Sequence, residues 1–301
     1  MIRFPPRGGL QNPGGEIAAS ETIKLETEMT KTRIFRFFAT TAFVAVVACA
    51  GAVAQNTTSA EIEKWKAAAE KGEAWAQYNL GVAYSHGNGV AEDKREAVRW
   101  YRKAAEQGFA AAQGALGSAY NIGEGVVEDK REAVRWWRKA AEQGNAPAQY
   151  LVGLAYYIGE GVAEDMREAV RWWRKSAEQG LVEAQGDLGA AYALGEGVAK
   201  DKREAARWWR KAAEQGHDVA QTRLAGAYWL GKGVITDKRE SYIWTSIATV
   251  NGNERAYAFL RSQRWRDFLS QSEIGSAQKE AARRLEEIDR RKEKHDKKFV
   301  Q

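Results

Sequence analysis

Apart from the acids, which mostly recur as helix caps, few side chains in this sequence could act as a nucleophile or general base: Cys49, His86, His217, His295 and scattered serines. Catalysis by such groups needs a nucleophile, a base and an orienting group within reach of one another. His86 and His217 stand at different positions of a repeated unit, His295 lies in a charged run, and Cys49 lies in an apolar segment. No serine occupies a nucleophile-elbow motif, and the repeated region has no Ser-x-x-Lys. No His or Cys cluster has metal-ligand spacing, and one cysteine allows no disulfide framework within the chain. These residues predict no enzyme, no metal and no cofactor.

Recognition chemistry is better represented. Trp75, Tyr78, Tyr150, Tyr157 and Trp229 fall at positions that vary between otherwise similar segments. Large aromatics beside small residues make pockets, and Trp and Tyr are enriched at binding hot spots. The same rings could instead fill gaps between units. A second aromatic set does not vary. Trp100, Trp136, Trp172, Trp208 and Trp244 recur at one position, and Tyr101, Trp137, Trp173 and Trp209 at the next. A stripe present on every copy predicts inter-repeat core, with the second series partly exposed.

These residues are placed by a strict period. Gly72, Gly108, Gly144, Gly180, Gly216 and Gly252 lie 36 residues apart. Such a period means a solenoid, in which each unit buries its apolar face on its neighbours. Each unit reads as two helices. In Phe109–Gly144 the first has Ala112, Leu116, Ala119 and Tyr120 on one face, and the second has Ala133, Trp136, Trp137, Ala140 and Ala141. Asp93/Glu96, Asp129/Glu132, Asp165/Glu168, Asp201/Glu204 and Asp237/Glu240 read as N-cap pairs, the Glu reaching back to the cap amide. The periodic glycine suits the left-handed stop. Gly-x-Gly at 87/89, 123/125, 159/161, 195/197 and 231/233 follows no strand, so it reads as an interhelical turn and not a phosphate loop. Gly81, Gly117, Gly153 and Gly189 inside the first helices predict close helix approach, and Ala225 in the fifth copy predicts looser packing there.

The pattern A-x-Q-x-x-L-G-x-x-Y followed by G-x-G-V-x-x-D-x-x-x-A-x-x-W-W-x-K-A-A-E-Q-G resembles the Sel-one-like repeat, a relative of the tetratricopeptide repeat. The second copy shows it as Gln113, Leu116-Gly117, Tyr120, Gly123, Gly125-Val126, Asp129, Ala133, Trp136 and Ala140-Ala141. The resemblance implies an all-α superhelical solenoid of about five repeats, at 73–108, 109–144, 145–180, 181–216 and 217–252. It implies an adaptor for other proteins in bacterial envelope signalling, secretion or host contact, with first helices lining a concave groove. Some secreted members have been described as β-lactamases, but those carry paired cysteines in each repeat, which this array lacks. Residues 55–72 read as an N-terminal capping helix, and 253–301 as closing helices with a charged tail.

Residues 29–54 have the layout of a secretory signal peptide. Lys31, Arg33 and Arg36 form its basic start, Phe37 to Ala50 its apolar core, and Ala52-Val53-Ala54 its cleavage site before Gln55. Residues 1–28, with three prolines and four acids, read as a non-native or disordered extension. Val46-Val47-Ala48-Cys49 offers an alternative, lipidation of Cys49. The leader predicts a periplasmic or secreted protein of a Gram-negative bacterium, with no membrane span after cleavage. Cleavage removes six bases and four acids and lowers the net charge from +6 to +4. Acids and bases mix along the same helices, which argues against nucleic acid. The expectation is a non-enzymatic envelope scaffold that holds a protein or peptide segment in its groove. The alternatives are a secreted effector or host-contact protein, or a binder of peptidoglycan or other glycans.

Overall fold

The structure, a computed structural model, describes residues 57–262 and 264–300, with side chains through Lys294. The expected leader, with Cys49 and the Ala54–Gln55 cleavage site, lies outside the described residues. These form an all-α solenoid of thirteen α-helices without a strand. α1 (Ser59–Glu70) precedes five pairs: α2/α3 (Ala74–His86, Lys94–Glu106), α4/α5 (Ala110–Ile122, Lys130–Glu142), α6/α7 (Ala146–Ile158, Met166–Glu178), α8/α9 (Val182–Leu194, Lys202–Glu214) and α10/α11 (Asp218–Leu230, Lys238–Val250). α12 (Glu254–Arg261), a 3-10 turn (Arg264–Asp267) and α13 (Gln271–Val300) follow. From α1 to α11 each helix packs on the next, and both α12 and α13 pack on α11.

The second helices start at the expected aspartates, but their glutamates do something else. Asp129 Oδ1 accepts from the amides of Arg131 and Glu132, both at 3.0 Å. Glu132 turns forward to Arg135 at 2.7 Å rather than back to the cap amide. That amide is already satisfied, because Asp129 N–H donates to the Tyr120 carbonyl of the first helix at 2.9 Å. The aspartates at 93, 165, 201 and 237 make the same amide bond. A reciprocal capping box forms at Thr58 and Glu61, ahead of α1. At each pair's end the periodic glycine has positive φ, +90° at Gly108 and Gly144, as a left-handed stop requires.

The glycines inside the first helices let a ring lie directly on the backbone. A Cβ on Gly117 would stand 2.5 Å from Trp137 Cδ1. Gly81 meets Tyr101, Gly153 meets Trp173 and Gly189 meets Trp209 in the same way. This reverses the expected order of the aromatic series. Trp137 is 1% exposed while Trp136 is 9% exposed. In the first three copies the second series is therefore the deeper one, because it fills the space the glycines leave, while Trp208 and Trp209 are both 9% exposed. The first series lies nearer the surface, with Lys103, Lys139, Lys175 and Lys211 over the rings of Trp100, Trp136, Trp172 and Trp208 at 3.9–4.2 Å.

Ala225 does not loosen the last repeat. Its partner position holds Thr245 instead of an aromatic, and both are buried. Other substitutions there suit the helix laid over it. Ile243 and Ile247 replace the Arg and Lys that elsewhere pair with the second-helix Glu and cover its Trp. Arg284 of α13 supplies both missing contacts. It donates to both carboxylate oxygens of Glu240 at 2.7 and 2.9 Å and lies over the Trp244 ring.

Polar ladders tie successive units. Gln143 donates to Gln113 across 2.7 Å, and Gln113 donates to the Ala105 carbonyl of the preceding helix at 3.1 Å. Gln107–Gln77, Gln179–Gln149 and Gln215–Gln185 repeat the link. Arg102 and Arg174 reach the Tyr120 and Tyr192 hydroxyls of the following repeat at 2.8 and 2.9 Å. The second glycine of each turn also packs between units. A Cβ on Gly125 would meet the Lys94 carbonyl of the preceding repeat at 2.1 Å.

Candidate functional site

Since each unit repeats the same frame, a site must come from positions that differ between copies. The first helices concentrate those differences. The register of Trp75, Ala111, Pro147, Glu183 and Val219 is nowhere fully buried, and Trp75 and Val219 are 46% and 47% exposed. One turn on lie Asn79, Ala115, Leu151, Asp187 and Arg223, a second varied register that sequence reasoning overlooked. The comparison between copies would have found it.

The five expected aromatics do not form one pocket. Trp75 is exposed, its indole N–H donating to Glu73 at 2.6 Å. Tyr78 is buried against Tyr101 and Phe109. Tyr150 is wholly buried, and its hydroxyl donates to Asp187 Oδ2 at 2.9 Å. Tyr157 is half-buried on Trp173. Trp229 is packed edge-on against Phe259, Trp265 and Phe268, with Lys238 Nζ 3.8 Å from its ring centre. Tyr150, one of the expected pocket aromatics, therefore presents no open ring. A tyrosine at that register is long enough to cross to the next repeat, so it serves as a strut.

The contacts around this strut are unusual for the array. Burial pushes the Asp187 carboxyl up to about 6, with Glu183 nearby adding to the effect and the Tyr150 hydrogen bond opposing it. Burial lowers the His217 imidazole. That ring lies over Gly186, and its Nδ1 accepts from Ala220 N–H at 3.1 Å. The acceptor role requires a neutral ring with its proton on Nε2. The cluster holds no nucleophile activated by a base. Among the described residues no group of three His, Cys, Asp or Glu could hold a metal ion.

The Sel1 repeat model matches residues 76–109, 110–145, 146–181, 182–217 and 218–252. The chain belongs to the Sel1 repeat family. Members of this family generally act as scaffolds for protein interaction. Among solved structures, the Sel1 array resembles c5321, described as a protective antigen of uropathogenic Escherichia coli strains displaying an SLR fold. The two share 38% identity over 75% of this chain, with a TM-score of 0.68. The match covers 48% of that protein, so this chain spans about half of its length. A Sel1 repeat protein from Oxalobacter formigenes shares 39% identity over 61% of this chain and 75% of its own, with a TM-score of 0.58. No curated protein sequence matches the chain.

The Sel1 frame accounts for the invariant residues of each copy. The cap aspartates and the rings on the first-helix glycines pair the two helices within a unit, and the buried glutamines link one unit to the preceding one. The invariant Trp series offers no ladder of open indole faces, because lysines cover them at Trp100, Trp136, Trp172 and Trp208. Among the described residues, no helix is long and apolar enough to cross a membrane.

Proposed function

We propose that this Sel1 protein is a non-enzymatic scaffold of the bacterial cell envelope, which binds a segment of another protein along its first-helix face. The carrying observation is the contrast between an unvarying frame and the accessible, varied register of Trp75, Pro147, Glu183 and Val219. Trp75 and Val219 supply apolar contact, Glu183 and Asp187 supply charge, and the buried Tyr78 and Tyr150 support the floor. Tyr157 and Trp229 contribute only their accessible edges. The envelope assignment rests on the leader at 29–54. Mass spectrometry of the native protein should find an N-terminus at Gln55, and a lipidated Cys49 would replace periplasmic release by anchoring.

The test is photo-crosslinking in the periplasm from a reactive residue placed at position 75 or 219, with position 135 on the second-helix face as control. Arg135 is suitable because its side chain is 69% exposed. A specific protein adduct from 75 and 219 but not 135 is expected. Adducts from position 135 alone would place the partner on the other face and refute the reading. Retention on purified cell wall that Trp75→Ala abolishes would favour the glycan alternative.

A further inference from the structure

Where one repeat's Gly-x-Gly turn sits on the start of the preceding second helix, five charged or polar positions meet. In the first such junction they are Glu92, Asp93, Lys94, Arg95 and Glu124. Lys94 pairs with Glu124 at 2.9 Å and with Glu92 at 3.5 Å. The second junction repeats this, Lys130 lying 3.4 Å from Glu128 and 3.8 Å from Glu160. Formal charge at these five positions is −1 in the first and second junctions and −2 in the third, where Met166 replaces the lysine.

The fourth junction breaks the series. Lys200 stands where the other three have Glu92, Glu128 and Glu164, and Lys232 where they have Glu124, Glu160 and Glu196. Lys202 keeps its place but has lost both carboxylate partners. With Asp201 and Arg203, the junction carries +3. Lys200, Lys202 and Lys232 form no ion pair among the described residues. Lys200 and Lys202 line an open groove of about 1040 Å³ together with Arg203, Gly233, Val234 and Ile235 among others, and Lys232 stands in the chain between its lining residues Gly231 and Gly233. Asp201 also lines it, but its carboxylate is engaged by the amides of Arg203 and Glu204. Ile235 is 90% exposed, where the other copies have Ala91, Val127, Ala163 and Ala199.

We propose that this groove between the fourth and fifth repeats docks a short acidic segment of a partner protein, with one apolar side chain set against Ile235. The reversal of two charges in an otherwise copied frame leaves three unpaired ammonium groups around an apolar contact. Opposite charge across such a surface steers association and fixes register. The short reach follows from the neighbours. A long polyanion or a flat anionic membrane would extend over adjoining junctions of charge −2 and −1 and be repelled there. This surface is on the loop edge, separate from the first-helix face, and does not depend on what binds that face.

The experiment uses the full chain and a dye-labelled peptide of glutamates around a central leucine, followed by fluorescence anisotropy. The double variant Lys200→Glu/Lys232→Glu restores residues that other junctions already carry, so the helical CD spectrum and melting temperature should match wild type. Its peptide affinity should fall more than tenfold, and wild-type affinity should fall with added salt. The converse variant Glu128→Lys/Glu160→Lys should create a second site. Equal binding of the peptide by wild type and Lys200→Glu/Lys232→Glu would overturn the proposal. So would equal binding of a glutamine counterpart peptide. Tighter binding of phosphatidylglycerol vesicles or duplex DNA, with the same sensitivity to the variant, would assign the groove to another partner and refute the acidic segment.

Discussion

Substituting Gly117 tests the packing that sets the distance between paired helices. A Cβ there would stand 2.5 Å from Trp137 Cδ1, 2.8 Å from its Nε1 and 2.9 Å from the Ala133 carbonyl. The ring is 1% exposed, its N–H donates to Ser118 Oγ at 3.3 Å, and it has no room to turn. Overpacking of this kind costs about 1–3 kcal/mol. Alanine regains about 1 kcal/mol of helix propensity. Gly117→Ala should therefore lose about 0–2 kcal/mol net. Trp137→Thr removes the ring and should lose about 3–5 kcal/mol, the range for deleting a buried Trp side chain. The double variant reproduces the pairing that the fifth repeat already contains, Ala225 with Thr245. With the ring gone, Gly117→Ala should become neutral or stabilising by up to about 1 kcal/mol. The double-mutant cycle then shows a coupling of about 2 kcal/mol, well above the scatter expected for independent sites. Urea unfolding followed by CD reads all four proteins without relying on Trp emission. Additive effects in the cycle would refute the ring-on-glycine contact as the spacer.

Two further outcomes follow from the same geometry. The Asp187 carboxyl titrates near 6 in the fold against 3.8 unfolded, so folding favours its protonated form. Its contribution is fully present below about pH 4 and is lost as pH rises through 6, at up to about 1.4 kcal/mol per pH unit. Asp187→Asn keeps an acceptor for Tyr150 and should flatten this fall, raising stability at pH 7 relative to wild type; identical pH profiles from urea titrations would contradict the burial. Gly125 and Gly108 both have positive φ, +71° and +90°, so alanine at either pays about 1–2 kcal/mol of left-handed strain. Only Gly125→Ala also drives a Cβ into the Lys94 carbonyl, whereas Gly108 has nothing within 4 Å. Thermal melts should therefore rank Gly125→Ala clearly below Gly108→Ala, and equal losses would mean the turn does not hold the repeats together.

The period alone made the solenoid legible, because every copy repeats its own evidence. The cap aspartates, the left-handed stops and the close-approach glycines were readable for the same reason. What was not readable was direction. Two adjacent ring positions on a helix look alike in sequence, and only the opposing glycine shows that Trp137 lies deeper than Trp136. Tyr150 failed as a pocket residue on similar grounds. Its variation between copies was visible, but its reach to Asp187, 37 residues on, was not. The glutamates beside the cap aspartates matched a known local motif. They were drawn elsewhere because Tyr120 and its equivalents had already taken the cap amide.

The fifth copy shows how a period can conceal its own ending. Compared with the other four, it has lost an arginine to Ile243, an aromatic to Thr245 and a lysine to Ile247. Taken singly, each change looks like decay of the repeat. Ile243 and Ile247, one turn apart, strip two cations from one helix face, which leaves apolar surface where another helix can lie. α13 lies there, burying Ala277, Ala281 and Ile288 in a core shared with Ile243 and Ile247. Removing Arg and Lys from α11 would have left Glu240 without a partner and Trp244 uncovered. Arg284 restores both contacts from 44 residues away, outside any repeat. The glycine register is relieved in the same step, since Thr245 makes room for Ala225. Loss of the motif is thus the local condition for ending the stack. The groove at Lys200 and Lys232 follows the same logic one repeat earlier: departures from the period mark where the array stops serving only itself.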